Sequence, residues 1–270
     1  PLGKSVEDAS RAIIDRSLDI VAERIAQAGK DLGQDFSGYT LFAYGGNGGL
    51  IACGVAEKVG LKEVRFFALG PVFSAFGSSV SDISHVYERS LQLTSLSAAE
   101  MQRLAEAVAD IKAEGHRDLL GEGIKPEGIA YLMELEIVRA KQPALAVSCP
   151  PDVLQDAGKL YAHLEKSLGG NKDAFAVDLL RIQIKKAMPK PSLVEKPLQG
   201  ADSSHALKGK RQVAWGSKNG EALLYTWEDL QPGNSVEGCA VLEGANSTFF
   251  VPENWTLAMD RFGNALVRRR

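Results

Sequence analysis

The stretch Phe42-Ala43-Tyr44-Gly45-Gly46-Asn47-Gly48-Gly49-Leu50-Ile51-Ala52 decides how this chain is to be read. Tyr39 to Tyr44 is a short apolar run of β-favouring residues, the glycines interrupt it, and Leu50 to Val59 has helical character. Strand, turn and helix follow in that order. Such a turn leaves backbone N–H groups exposed at the helix start, and glycines without side chains let a flat ring or a phosphate lie against the backbone. A dinucleotide fingerprint does not fit, because Gly46 and Gly48 would need a third glycine where Ile51 stands. On these residues alone two readings stay open: a ligand-binding turn, and a tight strand-to-helix connection that holds nothing.

Working outward, Ser5 followed by Asp8 resembles a capping box with a shorter acid, and Ile14, Leu18, Val21, Ile25, Ala28 and Leu32 recur at helical spacing. This predicts a long amphipathic helix ending near Gly29 or Gly33. On the other side, Val64 to Leu69 reads as a second strand, Gly70 and Pro71 break it, and Phe73 to Val80 opens another helix. Alternating strands and helices predict an α/β fold with a mainly parallel sheet covered on both faces. Further along, Ser97 to Glu114 and Val153 to Leu168 read as helices, and Ile129 to Val138 and Asp178 to Lys186 as strands. Met188 to Gly209 is rich in Pro, Lys and small polar residues. Beyond it, Gln212 to Trp215, Ala222 to Tyr225, Gly238 to Glu243, Thr248 to Val251 and Leu257 to Asp260 are short β-like runs between turn signals. The expected organisation is a lobe segment over 1–92, an α+β middle region over 93–190, a linker over 191–209 and a small β-rich module over 210–270.

The 270 residues are 45% hydrophobic and 24% charged with a net charge of −3, enough apolar content for a sizeable core. No apolar run approaches the roughly 20 residues that cross a bilayer, and the opening residues do not read as a secretory signal, so a cytoplasmic protein is expected. Cys53, Cys149 and Cys239 are odd in number and far apart, which suits buried thiols in a reducing compartment. Scattered lysines form no basic stripe, and Arg268, Arg269 and Arg270 read as a solvated tail rather than a nucleic-acid contact. The chain starts at Pro1 with a helical pattern almost at once, so a fragment of a longer protein is expected.

Other candidates for chemistry are weaker. Gly3-Lys4-Ser5 matches the end of a P-loop but is too short, and reads as a loop before the first helix. His85, His116, His163 and His205 lack a second His or Cys at ligand spacing, so no zinc site is expected. His85 lies close in sequence to the segment from Phe73, yet packing is the better reading. Glu134 and Glu136 share one strand face, where two solvated carboxylates are commoner than an acid and base pair. Ser74, Ser78 and Ser79 have no His and Asp partners that the sequence can pair with them, so no nucleophile is assigned.

Taken in order, Pro1-Leu2-Gly3 with Ser5 to Ala9, Phe42 to Gly49, and Gly70-Pro71-Val72-Phe73-Ser74-Ala75-Phe76-Gly77 resemble the C-terminal part of the hydantoinase A and oxoprolinase family. The likeness continues through Arg181 to Pro191 and returns at Glu243, Ser247, Thr248, Val251, Pro252, Asp260, Gly263 and Asn264. It implies the C-terminal part of an actin-like, sugar-kinase-type ATPase lobe followed by a small β-rich domain. In that fold Asp- and Gly-rich hairpins earlier in the chain hold the phosphates and magnesium of ATP, and neither pattern occurs here. The resemblance places the adenosine contact at Gly45, Gly46, Asn47, Gly48 and Gly49, with Phe73, Ser74, Ala75 and Gly77 forming the next turn nearby. Family members commonly carry Pro where Gly49 stands and His where Ile51 stands. The form with Asn47 and Gly49, together with Gly70 to Ser79, is closest to the acetone and acetophenone carboxylase branch, and the pattern of many hydantoinases is not recognisable around Ile137 to Gln142. The activity implied is that of an ATP-dependent carboxylase or cyclic-amide hydrolase subunit that phosphorylates a small carbonyl substrate beside a hydantoinase B-like partner subunit, the fragment alone being inactive. An assembly module that docks a partner subunit, and a free-standing ATPase, are the alternatives.

Overall fold

The computed structural model describes residues 3, 5–139, 142–169, 175–216 and 218–270. Pro1, Leu2 and Lys4, which carry part of the opening resemblance and the P-loop-like triplet, lie outside these residues, as do residues 140 and 141. In chain order the elements are α1 (Val6–Asp31), β1 (Thr40–Ala43), α2 (Gly48–Val59), β2 (Glu63–Phe66), α3 (Phe73–Ser79), β3 (Ile83–Leu93), α4 (Ala98–Gly121), β4 (Ile129–Arg139), β5 (Leu145–Ser148), α5 (Ala157–Ser167) and β6 (Phe175–Lys186). There follow β7 (Leu207–Trp215), β8 (Lys218–Thr226), β9 (Ser235–Glu237), β10 (Ala240–Glu243), β11 (Thr248–Val251), β12 (Trp255–Met259) and β13 (Ala265–Arg269). Two compact units result, one made of Pro1–Ser79 with Pro191–Arg270 and one of Val80–Lys190.

The first unit holds two sheets, ordered β1-β2-β13-β12-β9 and β11-β10-β8-β7. Among the described residues only β1 with β2 and β8 with β10 run parallel, so the sheets are mixed rather than mainly parallel. Sequence pattern alone suggested otherwise because β1, α2 and β2 form a crossover unit, whereas β13 enters the sheet from far along the chain. Its register against β2 pairs Ala265 with Phe66 and Val267 with Val64. Arg268, expected in a solvated tail, is therefore a strand residue opposite Glu63, with which it forms an ion pair at 3.0 Å. Phe66, Trp255, Leu257, Val267, Leu242 and Phe249 share one buried cluster with Cys53 and Ala56 of α2. The indole N–H of Trp255 is satisfied by Glu57 Oε1 at 2.7 Å. Burial of this amount of apolar surface is the main favourable contribution to the fold.

α1 begins at the Ser5 cap, whose hydroxyl accepts from the Asp8 N–H at 3.1 Å, and ends at Asp31. Its buried side is Leu18, Ala22 and Gly29 rather than the whole stripe the spacing suggested, and Ile14 and Val21 are exposed. The segment expected as a free linker over 191–209 is docked on the first unit. Lys196 N–H donates to Arg261 O, Gln199 N–H to Pro232 O, and buried Asn234 donates through Nδ2 to the carbonyls of Gly200 and Asp202. Residues 210–270 likewise do not stand apart from 1–79, since β13 pairs with β2.

The second unit is an antiparallel sheet ordered β3-β6-β4-β5 with α4 and α5 contributing Leu104, Ile111, Leu119, Leu160 and Leu164 to its core. It starts earlier than residue 93 because β3 pairs along its length with β6. β3 reads poorly as a strand because its polar residues are matched to α4: Arg89 pairs with Glu114, Tyr87 OH donates to Asp118 at 2.6 Å, and His85 shares a hydrogen bond with Glu122 at 3.2 Å. Two residues of strand advance about 6.6 Å and four of helix about 6.0 Å, so the bonds stay in step. Gly115 lets the helix approach. A Cβ there would overlap Ile184 Cδ1 and stand 3.2 Å from Tyr87 Cε2.

Two outcomes are expected. Gly115→Ala gains about 1 kcal/mol in helix propensity but overpacks a buried contact at about 1–3 kcal/mol, so the denaturation midpoint should fall; a raised midpoint would show that α4 moves off the sheet freely. Asp82 accepts from the Met188 N–H and pairs with Lys190 and Lys185, which hold its carboxyl well below the usual carboxylate range. A carboxyl depressed in this way stabilises the fold above its unfolded value of about 3.9, and that contribution is lost as pH falls below it. The drop in stability between about pH 5 and pH 3 should therefore be shallower in Asp82→Asn, as thermal melts across that range will show.

Candidate functional site

The turn between β1 and α2 is fixed from both sides. Ala43 is buried at the end of β1, and Gly45 then takes φ +80°, a left-handed conformation that glycine adopts without strain. The Gly45 N–H donates to Gly70 O at 2.8 Å, which ties the turn to the loop after β2. α2 begins at Gly48, and Asn47 stands at its cap without a side-chain hydrogen bond to it. The first N–H groups of a helix lack intrahelical acceptors, so this end of α2 offers donors and a positive dipole.

The five turn residues are not equivalent. A Cβ at Gly45 or Gly46 would meet nothing within 4 Å, so open space lies above both. Gly48 is in ordinary contact with Ala43. Gly49 is buried, and a Cβ there would overlap Phe249 Cδ1 and come within 2.8 Å of Thr248 O, so its small size serves packing of α2 on β11. Asn47 is exposed beside them. Ser74 and Gly77 lie on α3, which has no buried residue, and both are exposed. The Gly45 to Gly70 bond brings the loop leading to α3 against the turn.

Besides Phe73, which the resemblance placed in the next turn, three aromatic side chains cluster on the segments that the Gly45 to Gly70 bond joins. Phe73 stacks on Phe67 with centroids 4.4 Å apart and lies 5.6 Å from the ring of Tyr44, while Phe42 meets Phe67 edge-on at 5.1 Å. Phe42 and Tyr44 are 54% and 52% exposed, values that make them surface rather than core. Their spacing of two residues, which puts both on one side of a strand, was the available signal. The β12–β13 turn, Asp260 to Asn264, reaches the same loop, since Asn264 Oδ1 accepts from the Ala68 N–H at 3.2 Å.

The other candidates fall elsewhere. His85, Glu134 and Glu136 belong to the 80–190 unit, where Arg181 joins Glu134 and Glu88 at 3.4 and 2.7 Å. Ser79 donates to Phe76 O, as a helix-end hydroxyl does. Cys53 and Cys149 are buried free thiols, and burial pushes the Cys149 thiol up to about 11, far from a reactive thiolate at neutral pH. Among the described residues no helix is long and apolar enough to cross a membrane, and no group of three or more His, Cys, Asp or Glu could hold a metal ion.

The acetophenone carboxylase gamma subunit of Aromatoleum aromaticum is 28% identical over 99% of this chain and 39% of its own length. A nucleotide-free structure of acetone carboxylase, described as part of a mechanism of ATP-dependent acetone carboxylation, superposes with a TM-score of 0.84 at 23% identity, over 100% of this chain and 41% of that one. The ATP-dependent caprolactamase of Pseudomonas jessenii superposes with a TM-score of 0.72 at 20% identity, over 100% and 41%. This chain thus spans about two fifths of the length of the proteins it matches. Both likenesses show an α/β fold shared over the whole of this chain. A hydantoinase/oxoprolinase model matches residues 1–87 and a hydantoinase/oxoprolinase C-terminal domain model matches residues 94–264, so the chain belongs to the hydantoinase/oxoprolinase family.

Proposed function

We propose that this chain is the C-terminal part of a cytoplasmic, ATP-dependent carboxylase or cyclic-amide hydrolase subunit, and that its turn from Gly45 to Gly49 receives the adenosine side of ATP. The observation that carries the reading is the open surface over Gly45 and Gly46 at the start of α2, bordered by the half-exposed rings of Phe42 and Tyr44. A flat purine can lie on backbone where no Cβ projects, and neighbouring aromatic rings favour it further. Asn47 offers a carboxamide at the rim, and Ser74 and Gly77 stand beyond it on α3. Gly49 contributes by holding α2 close to β11.

ATP supplies a phosphoryl group that turns a carbonyl oxygen, an enolate or bicarbonate into a species with a good leaving group. The residues of this chain bind and orient the nucleotide's base and ribose. In this reading the magnesium ligands and the phosphate contacts lie in parts of the enzyme outside this chain. A small ketone is the favoured substrate, from the form of the Gly45 to Gly49 and Gly70 to Ser79 segments and from the acetophenone and acetone carboxylase relatives. The second reading, an assembly module that docks a hydantoinase B-like subunit, draws on the relative being a gamma subunit, and the two are compatible in a hetero-oligomer.

Two measurements test the reading. In the intact enzyme, Gly46→Val should put a branched side chain where the ring lies and raise the Kd for ATP at least about tenfold, or about 1.4 kcal/mol; calorimetry giving the wild-type value in a folded variant moves the site elsewhere. The purified complex should hydrolyse ATP faster when a small or aromatic ketone and bicarbonate are supplied, and should not respond to hydantoins or 5-oxoproline. Stimulation by a cyclic amide alone would reassign the substrate while leaving the nucleotide site in place.

A further inference from the structure

We infer that the β12–β13 turn, Asp260-Arg261-Phe262-Gly263-Asn264, is a positioning element for the glycine turn, acting through Asn264. The inference rests on the nucleotide reading only for its functional consequence; the coupling itself stands on hydrogen bonds within one unit of the fold.

The turn is tightly determined. Asp260 N–H donates to Asn264 O at 2.7 Å, and Asp260 Oδ1 accepts from the backbone N–H groups of Phe262 and Asn264 at 2.8 and 2.9 Å. Gly263 sits at φ +80°, the left-handed conformation that glycine meets most easily. The other carboxylate oxygen, Oδ2, faces Arg65 Nη1 and Asn264 Nδ2, both at 3.4 Å. Asn264 therefore has its donor directed back into the turn and its acceptor free to face outward. That acceptor, Oδ1, receives the N–H of Ala68, two residues beyond the end of β2. From Ala68 the chain reaches Gly70, whose N–H closes on Phe67 O at 2.9 Å and whose carbonyl takes the Gly45 N–H at 2.8 Å. Two hydrogen bonds, joined by the chain from Ala68 to Gly70, thus connect the hairpin turn to the first glycine of the candidate site.

The residue type matters. A carboxamide at 264 can donate to a carboxylate and accept from an amide at once, with one side chain and no charge. Alanine can do neither. With the acceptor gone, the Ala68 amide loses its partner and the loop from Phe67 to Gly70 is held from one end only. The left-handed Gly45 would then sample conformations that do not present the flat surface.

The test uses the intact protein. Hydrogen–deuterium exchange is measured over residues 44–49 without nucleotide, and the Kd for ATP by calorimetry, for wild type, Asn264→Ala and Trp255→Phe. The last variant is a control for general destabilisation, because it removes the bond to Glu57 near the far end of α2 and disturbs the same core. Asn264→Ala should speed exchange over 44–49 at least about tenfold and raise the Kd several-fold, while Trp255→Phe lowers the melting temperature and leaves both near wild type. Unchanged exchange in folded Asn264→Ala overturns the inference, as does an equal change in both variants. If the wild-type protein does not bind ATP, the nucleotide reading fails, and exchange over 44–49 alone decides whether Asn264 positions the turn.

Discussion

β13 lies hydrogen-bonded between β2 and β12, and the first unit depends on that placement. Without it β1 and β2 would be a two-stranded parallel pair carrying an exposed edge, too little sheet to be stable alone. With it, Phe66 and Val64 of β2 and Ala265 and Val267 of β13 lie opposite one another and are fully buried. The end of β2 is set by this pairing, and the end of β2 sets where the loop through Ala68 and Gly70 begins. The candidate nucleotide turn therefore owes its position to residues some 200 places later in the chain as much as to its own glycines.

That dependence explains what the sequence showed and what it hid. The strand, turn and helix from Thr40 to Val59 were legible because every local signal agrees: a short β-favouring run, glycines at the break, then a helix whose ends are marked by glycine. The helices from Ala98 and Ala157 and the strand from Ile129 were legible for the same reason, with Ser97 and Asp156 as caps. β13 was not. Arg268, Arg269 and Arg270 look like a solvated end, and only Glu63 on a distant strand and Glu237 on β9 show that two of them have assigned partners. β3 went unassigned in the sequence, because Arg89, Tyr87 and His85 interrupt its apolar pattern and their partners, the carboxylates of α4, lie further along the chain.

The site was legible in outline only. The four glycines between positions 45 and 49 look alike in sequence, yet two face open space and one is packed beneath Phe249. Glycine in a sequence records that a side chain is absent, and not whether a ligand or another part of the protein requires the absence. Phe42 and Tyr44 stood in the sequence only as members of a short β-favouring run, which does not say which of its residues face outward. Their exposure became visible only with the burial of Ala43 between them.

Residues Val80–Lys190 form a unit of their own, and Lys190 beside its end bonds both Asp82 and the carbonyl of Val80 at its beginning. The two ends of this unit are thus bonded to each other, and this has a meaning in time. On a ribosome that adds roughly 5–20 residues per second, β2 emerges and then waits on the order of ten seconds or more before β13 exists to pair with it. During that interval every strand of the second unit's sheet is already available, while the half-built sheet holding the glycine turn keeps an open edge. A chaperone that guards this protein during synthesis would find its work there, on Val64 and Phe66.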